Sequence, residues 1–483
     1  MRTRTSPQAS LLVASFVATA IVAASAIHAP SAYAQVTSAA AAGEVVSADG
    51  NPASGLSVEL RHVPSGTVSR TTTDADGRFN FRGVRVGGPY TITVSGSGFK
   101  TATLDNQFLQ LGDTGGIVVN VQPDGLAEVV IAANRVADPV FDATRTGAGT
   151  RVAREQIEGL PSINRNIQDY VRTDPRIAQT DKERGEISAG GQNTRFNNIR
   201  IDGVSTNDGF GLESNNLPTE RQPISIDSIE SINIALADFD VARSGYTGAS
   251  INAVTKSGTN EFKGSAYYIT RSNDWVGKRA GNKFTGFKDE NTIGATLGGP
   301  IVEDKLFFFA SYEQFERSAQ APSFGPAGSG ASNIVTGITQ AQIAEVAAIA
   351  KDVWKFDAGT FNPPSALDTE IKDMLVKFDW NINESHRASL RLNKTEQTLP
   401  ILPNFGSRSL SLSSHWYANI REFESSVFQL YSDWTPAFST EVSFTTSKQG
   451  STNDIGNPLP AIQICLNSSS CSGADSLWIG TER

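Results

Sequence analysis

The sequence predicts a mainly β protein: a signal peptide, a small β-sandwich, an α/β domain, and then the first strands of an antiparallel transmembrane β-barrel. Three observations predict it. C-terminal segments alternate apolar and polar residues, their connections alternate short and long, and the N-terminus carries an export address. In the clearest segment Met374, Val376, Phe378, Trp380 and Ile382 share one face, while Lys377, Asp379 and Asn381 share the other. After a turn at Asn383 to Ser385, Ala388, Leu390 and Leu392 oppose Ser389, Arg391 and Asn393. Period two is the mark of a strand.

Other C-terminal runs repeat the pattern. Phe262, Gly264, Ala266 and Tyr268 alternate with Lys263, Ser265 and Tyr267, and Ile293, Ala295 and Leu297 with Thr292, Gly294 and Thr296. Leu306, Phe308, Ala310 and Tyr312 form another face. Phe428, Leu430 and Trp434 oppose Gln429 and Asp433; Val442 and Phe444 oppose Glu441, Ser443 and Thr445. Each run is near the ~9–11 residues a tilted strand needs to cross a bilayer. Connections at 298–304, 383–385 and 435–438 are short, and those at 275–288, 318–370 and 399–420 are long. One-sided long loops distinguish a membrane barrel from a soluble sandwich, which shares the alternation alone. Trp380 and Trp434 stand just before short turns, where an interfacial aromatic girdle belongs.

At the N-terminus, Arg2 and Arg4 precede an apolar stretch over 11–27, and Ala32-Tyr33-Ala34 precedes Gln35. This reads as a signal peptide over 1–34, cleaved between Ala34 and Gln35. The alternative, a single anchoring helix, is opposed by Pro30 and the small-x-small site. No other stretch approaches the ~18 consecutive apolar residues of a spanning helix, so an exported chain that spans a membrane does so with strands.

The 483 residues carry a formal charge of −9 with 43 glycines and 19% charged residues. Mild acidity argues against a nucleic-acid partner. Cys465 and Cys471 are too few for a zinc site; in an oxidising compartment the candidate disulfide between them is favoured over free thiols. The four histidines lack metal-ligand spacing, and no phosphate loop or zinc-protease motif occurs. The reading is therefore no enzyme, no cofactor and no metal.

Ala39 to Ala42 lead into a β-domain assigned to 43–122, with strands at 57–60, 68–72, 78–81 and 90–94 separated by turn residues. Asp74-Ala-Asp-Gly77 reads as a hairpin turn, because calcium needs ~6–8 oxygen ligands. Thr73-Asp-Ala-Asp-Gly77-Arg-Phe79-Asn-Phe81, Gly88-Pro-Tyr90-Thr-Ile-Thr-Val94 and Gly98-Phe99 together resemble the carboxypeptidase-regulatory-like domain. Within 126–149, Glu128, Val129, Val130, Ile131 and Ala132 form an extended apolar run beside a small, polar linker. It resembles a TonB box, which adds as a strand to a TonB-type energising protein; it reads equally as a last sandwich strand.

Over 150–256 the pattern is α/β. Short helices are expected at 154–160, ended by Gly159 and Pro161, and at 166–171. A strand-turn-strand follows over 190–204, then extended segments at 226–234 and 245–256. Ile199-Arg200-Ile201-Asp202-Gly203-Val204, Ile229-Glu230-Ser-Ile232, and Gly248-Ala with Ile251-Asn and Thr255-Lys256 resemble the plug domain of TonB-dependent outer-membrane receptors. Residues 235–248 depart from the usual plug pattern. With the N-terminal sandwich and Lys256-Ser-Gly-Thr-Asn260, they look most like the Oar-like branch.

The resemblance implies a Gram-negative outer-membrane receptor. Its sandwich and plug would lie on the periplasmic side, its barrel would start over 257–483, and lipid would surround it. It would take up an extracellular ligand (glycan, peptide or metal chelate) with TonB-type energy. Arg200, Ile201, Asp202, Gly203, Gly248 and Lys256 would be plug motif residues. Such barrels close with about 22 strands, whereas about seven are legible here, and Arg483 is not a terminal aromatic. The expectation is an N-terminal fragment. The alternative function is Oar-like adhesion, secretion or glycan binding without siderophore uptake; Trp275, Phe284 and Phe287 permit sugar stacking. In the long loop, Thr339-Gln-Ala-Gln342 is a capping box. Ile343, Val346, Ala350 and Val353 follow at helical spacing and predict a helix that packs the loop down.

Overall fold

The computed structural model describes residues 37–124, 148–237, 245–278, 281, 283–435, 438–456, 459–466 and 468–481. The signal peptide with its Ala34–Gln35 site, and the run from Glu128 to Ala132, lie outside the described residues.

The N-terminal domain is a sandwich of β1 (Ala39–Ser47), β2 (Ser57–His62), β3 (Thr67–Thr72), β4 (Arg78–Val84), β5 (Gly87–Gly96), β6 (Phe99–Leu109) and β7 (Gly112–Val121). One sheet has the order β4-β1-β7 and the other β3-β2-β5-β6. Val45, Val58, Leu60, Phe79, Phe81, Ile92 and Val94 meet in its core. Burying each large apolar side chain contributes about 1.5–3 kcal/mol. Two expectations need correction. The alanine run is no leader but part of β1, which pairs in parallel with β7 from Ala39↔Gly112 to Ser47↔Val121; small side chains disguised it as linker. The Asp74–Gly77 turn closes no hairpin, since β3 and β4 lie in different sheets. The Asp74 carboxylate accepts from the backbone of Asp76 and Arg78 and turns the chain across the sandwich corner. β6 is a further strand outside the runs expected from the sequence; its Phe99, Ala102 and Leu104 are only partly buried against the core.

The central domain contains β8 (Ala148–Val152), α1 (Arg154–Gly159), α2 (Ile167–Val171), β9 (Ile177–Asp181), β10 (Glu186–Ala189), β11 (Asn198–Ile201), β12 (Val204–Ser205), β13 (Ile229–Ala237) and β14 (Ser250–Thr255). Its five-stranded sheet has the order β12-β11-β14-β13-β8. The helix α1 ends where the sequence requires, because the residue before Pro161 disfavours helical geometry. The strand expected from Gly190 lies upstream instead, as β10; Gly190 and Gly191 both take positive φ and turn the chain.

The C-terminal part is a single antiparallel wall. Its members are β15 (Lys263–Ser272), β16 (Asp289–Val302), β17 (Leu306–Gln320), β20 (Ala366–Asn381), β21 (His386–Ile401), β23 (Tyr417–Thr435) and β24 (Phe438–Ile455), hydrogen-bonded in that order. The connections alternate short and long, as the sequence predicts. Outward residues are apolar and exposed: Met374, Val376, Phe378 and Trp380 on β20, Leu390 and Leu392 on β21. Inward residues are polar and buried: Asp373, Lys377, Asp379, Arg391, Asn393, Thr395 and Gln397 are all below 8% exposed. Not every inward residue is polar, however. Phe309 and Leu375 join the core of the central domain, which seats that domain on the wall.

The long loops build a further small unit. β18 (Phe324–Ala327), β19 (Asn333–Thr339), α3 (Gln340–Asp352), β22 (Ser409–Ser411), β25 (Ile462–Cys465) and β26 (Ser476–Ile479) share a core of Val335, Ile338, Ile343, Ala350, Leu410, Leu412 and Leu477. Thr339 caps α3 with the reciprocal Gln342 contact. Ile343 and Ala350 pack as expected, but Val353 is 68% exposed at the helix end. Cys465 and Cys471 are disulfide-bonded, with Cα atoms 5.1 Å apart. Of the loop aromatics, Phe287 is buried with Arg271 over its ring at 4.3 Å, so it offers no sugar-stacking face.

Candidate functional site

The candidate site is the seam between the central domain and the inner face of the wall. Asp202 and Gly203 link β11 to β12 with φ of 45° and 85°. Two successive positive φ values are the type I′ geometry that favours Asp-Gly. The turn aims the Asp202 carboxylate at β14, where it accepts from Thr255 N at 2.9 Å and Thr255 Oγ1 at 2.7 Å. Across the seam, Arg391 Nε lies 3.5 Å from Asp202 Oδ2. Arg391 is 1% exposed and donates to Ser425 Oγ at 3.0 Å. Lys377 Nζ of the wall donates to Thr255 O at 3.1 Å. Through Thr255 and Arg391, this one short turn links β11, β12 and β14 to β20, β21 and β23 of the wall.

The other motif residues have plain structural placements. Ile201 is in the core and Arg200 is buried beside it on β11. Gly248 is tight: a Cβ there would stand 2.3 Å from Asn197 Oδ1, the atom that accepts from Ala249 N at 2.8 Å. Lys256 N donates to Ser228 O at 2.8 Å. Burial, then the Arg154 charge, pull the Lys256 ammonium below its usual range. Burial pushes the Glu230 carboxyl up, against the pull of Lys256. Asp202, Gly203 and Lys256 thus lie at the C-terminal ends of the parallel β11 and β14, Gly248 lies at their N-terminal ends, and Arg200 lies within β11.

The larger half of the seam carried no motif. Ser225 N donates to Asp373 Oδ2 at 3.0 Å and Ser225 Oγ to Glu313 Oε2 at 3.0 Å. Ser228 Oγ donates to Ser311 Oγ at 2.7 Å. Glu220 N donates to Gln397 Oε1 at 2.9 Å, while its carboxylate meets Arg317 at 3.0 Å. Arg421 pairs with Glu213, and Gln449 Nε2 donates to Asp208 Oδ1 at 3.1 Å. Burial raises the Glu220 carboxyl although Arg317 opposes it. Residues 205–228 have almost no regular structure, so no periodicity could have exposed them; their only signal is polarity. A neutral hydrogen bond nets ~0.5–1.5 kcal/mol, and a buried ion pair is weak evidence for stability. Such a seam fixes position with modest net energy, and water can replace its contacts.

The sandwich closes the short-turn end. Arg85 Nη2 donates to Asn381 Oδ1 at 3.1 Å, and Asn381 Nδ2 to Thr67 Oγ1 at 2.9 Å. Arg387 donates to Gly83 O, and Arg70 pairs with Glu384. A cavity of about 190 Å³ remains between sandwich, central domain and wall. His62 stands beside it, its pKa pulled down to about 3 by burial and then by Arg85 and Arg387.

An inside-out wall, a central domain seated on it through polar contacts, and a sandwich at the short-turn end define an outer-membrane β-barrel protein with an N-terminal accessory domain. Residues 40–122 match the carboxypeptidase regulatory-like domain family and residues 254–327 the outer membrane beta barrel domain family. The chain is homologous to the TonB-dependent transporter Oar of Myxococcus xanthus, at 28% identity over 397 residues. That match covers 78% of this chain and 35% of the relative, so the chain spans about a third of the curated relative's length. Among solved structures, the outer membrane transporter YddB from Escherichia coli aligns with a TM-score of 0.49 and 13% identity, over 69% of this chain and 43% of that one. The siderophore receptor PirA from Acinetobacter baumannii aligns with a TM-score of 0.43 and 17% identity, over 63% and 40%. The barrel-family match and the likeness to Oar place the protein in the Gram-negative outer membrane, and its named relatives are transporters and receptors.

Proposed function

We propose that this chain belongs to an energised uptake receptor. Residues 150–256 act as the plug, and the run from Glu128 to Ala132 is the strand that a TonB-type protein captures. The observation that carries the reading is the seam: a folded domain held on the inner wall mainly by hydrogen bonds and ion pairs that water can replace. A pull transmitted from the linker to β8, an edge of the central sheet, would loosen that seam before it unfolded the apolar core behind it. Asp202 and Arg200 serve as structural plug residues in this account, not as ligand contacts.

The test uses the full-length receptor in its own outer membrane. A photoreactive residue at Val130 should crosslink to the TonB-type protein. Deleting 128–132 should abolish protonophore-sensitive accumulation of whichever ferric siderophores, oligosaccharides or peptides the intact receptor imports. Energy-dependent import that survives the deletion would refute the reading.

A further inference from the structure

We propose that the protein binds an aminophospholipid of the inner leaflet in the groove between the sandwich and the outward side of the wall's short turns. The groove has a volume of about 460 Å³, within the ~300–1,000 Å³ of ordinary small-molecule sites. It is lined on one side by Arg70 and Arg82 of β3 and β4, and on the other by Glu384, Asp433, Trp434 and Phe438.

Four observations converge. Trp434 and Phe438 are each 58% exposed and lie at the short-turn end of the apolar belt, the level at which inner-leaflet headgroups meet acyl chains. Arg82 is exposed, and no described residue pairs with it. Arg70, by contrast, is shared between Glu59 and Glu384, so the free cation is at Arg82. The opposite wall carries the carboxylate of Asp433 and that of Glu384, which Arg70 already engages, so Asp433 is the carboxylate that would repel a purely anionic headgroup. A phosphate set against Arg82, an ammonium against Asp433, and acyl chains along Trp434 and Phe438 satisfy all three kinds of lining together. Phosphatidylethanolamine has that arrangement of groups. The lipid would tie the sandwich to the bilayer as well as to the wall. The proposal requires that lipid bathes the wall and that its short turns face the periplasm, and it does not depend on energised uptake.

The full-length receptor is placed in vesicles with photoactivatable phosphatidylethanolamine or, in parallel, photoactivatable phosphatidylglycerol, irradiated, and mapped by peptide mass spectrometry. Phosphatidylethanolamine should label the peptides that hold Arg82 and Trp434, and more strongly than phosphatidylglycerol. Arg82→Glu should reduce that labelling about tenfold, the worth of one charge-assisted hydrogen bond, and Arg82→Lys should keep most of it. No label at these peptides, or an equal or stronger label from phosphatidylglycerol, would overturn the assignment. That comparison needs no variant, so it decides the matter even if Arg82→Glu fails to fold. A folded Arg82→Glu protein that labels like the wild type would overturn it equally.

Discussion

The sandwich and the wall are written in the same period-two alphabet and folded with opposite faces inward. On β2, Val58 and Leu60 are buried while Glu59 and Arg61 face out. On β20, Lys377 and Asp379 are buried while Val376 and Phe378 face out. Strand alternation says only that two faces differ. Which face turns inward depends on what surrounds the sheet. In water the apolar face gains by leaving solvent; in lipid that gain vanishes, and polar groups must find partners inside. The central domain supplies those partners. Its side of the seam is therefore studded with serines, asparagines and charged residues that a water-soluble core would exclude.

The largest test of this contrast removes a partner. Asp202→Ala deletes two hydrogen bonds to Thr255 and leaves the Arg391 guanidinium buried without its carboxylate. Breaking a buried pair from one side costs about 3–5 kcal/mol. The expected result, read by denaturant unfolding of the full-length protein in detergent, is early loss of the central domain while the wall persists. Asp202→Ala with Arg391→Met should recover much of the loss, because the uncompensated charge is gone. If the single variant is as stable as the wild type, the seam is not what holds the domain.

The next test breaks the outward face. Val376→Arg places a cation at the middle of the apolar belt and should destabilise the folded wall by about 2–4 kcal/mol in lipid. Its folding into vesicles, followed by heat-modifiable electrophoretic mobility, should fall accordingly. The sandwich already carries Arg61 on the equivalent outward face, so the contrast is internal to the molecule. A Val376→Arg protein that folds as well as the wild type would mean that water, not lipid, touches that face.

These contrasts also mark how far the sequence could be read. The wall was legible in its outward apolar faces and in its alternation of short and long turns, but not in inward apolar residues such as Phe309 and Leu375, which pack against the central domain. Asp202-Gly203 was legible as a turn because only a few residues tolerate its backbone. The role of Asp202 was not, because Arg391 and Thr255 lie 189 and 53 positions away. Ser225, Glu220 and Glu213 were invisible for a related reason: they sit in irregular chain whose partners belong to distant strands. β1 was misread since alanine signals neither strand nor core strongly, although Ala41 is fully buried in the sandwich.

A smaller effect separates the two regions by pH. The pKa of His62 falls from 6.5 to about 3 in the folded protein. The unfolded or undocked chain therefore binds a proton that the folded one refuses. Stability from this group is complete above pH 6.5 and is lost as pH falls toward 3, by about 2 kcal/mol at pH 5. Burial is the main cause of the shift, and Arg387 of the wall adds to it with Arg85, so acid should loosen the sandwich where it meets the wall before it disturbs the belt. Protease accessibility of the 62–67 segment should rise between pH 6.5 and 4, and His62→Gln should flatten that rise. An unchanged cleavage profile in the variant would place the acid sensitivity elsewhere.

The smallest expected effect lies in the loop unit, which obeys the rules of the sandwich rather than those of the wall. The Thr339 hydroxyl accepts from Gln342 N at 3.2 Å, and the Gln342 side chain reaches back to Thr339 N at 2.9 Å. Both bonds satisfy helix-end donors that would otherwise face water. Thr339→Ala should therefore cost about 1 kcal/mol, felt only by the core of Ile343, Ala350 and Leu410. Hydrogen exchange should quicken in α3 and β22 and leave β20 and β21 untouched. If the exchange of the wall quickens as well, the loop unit is part of the barrel's own stability, and the division between water-facing and lipid-facing regions must be redrawn at its upper edge.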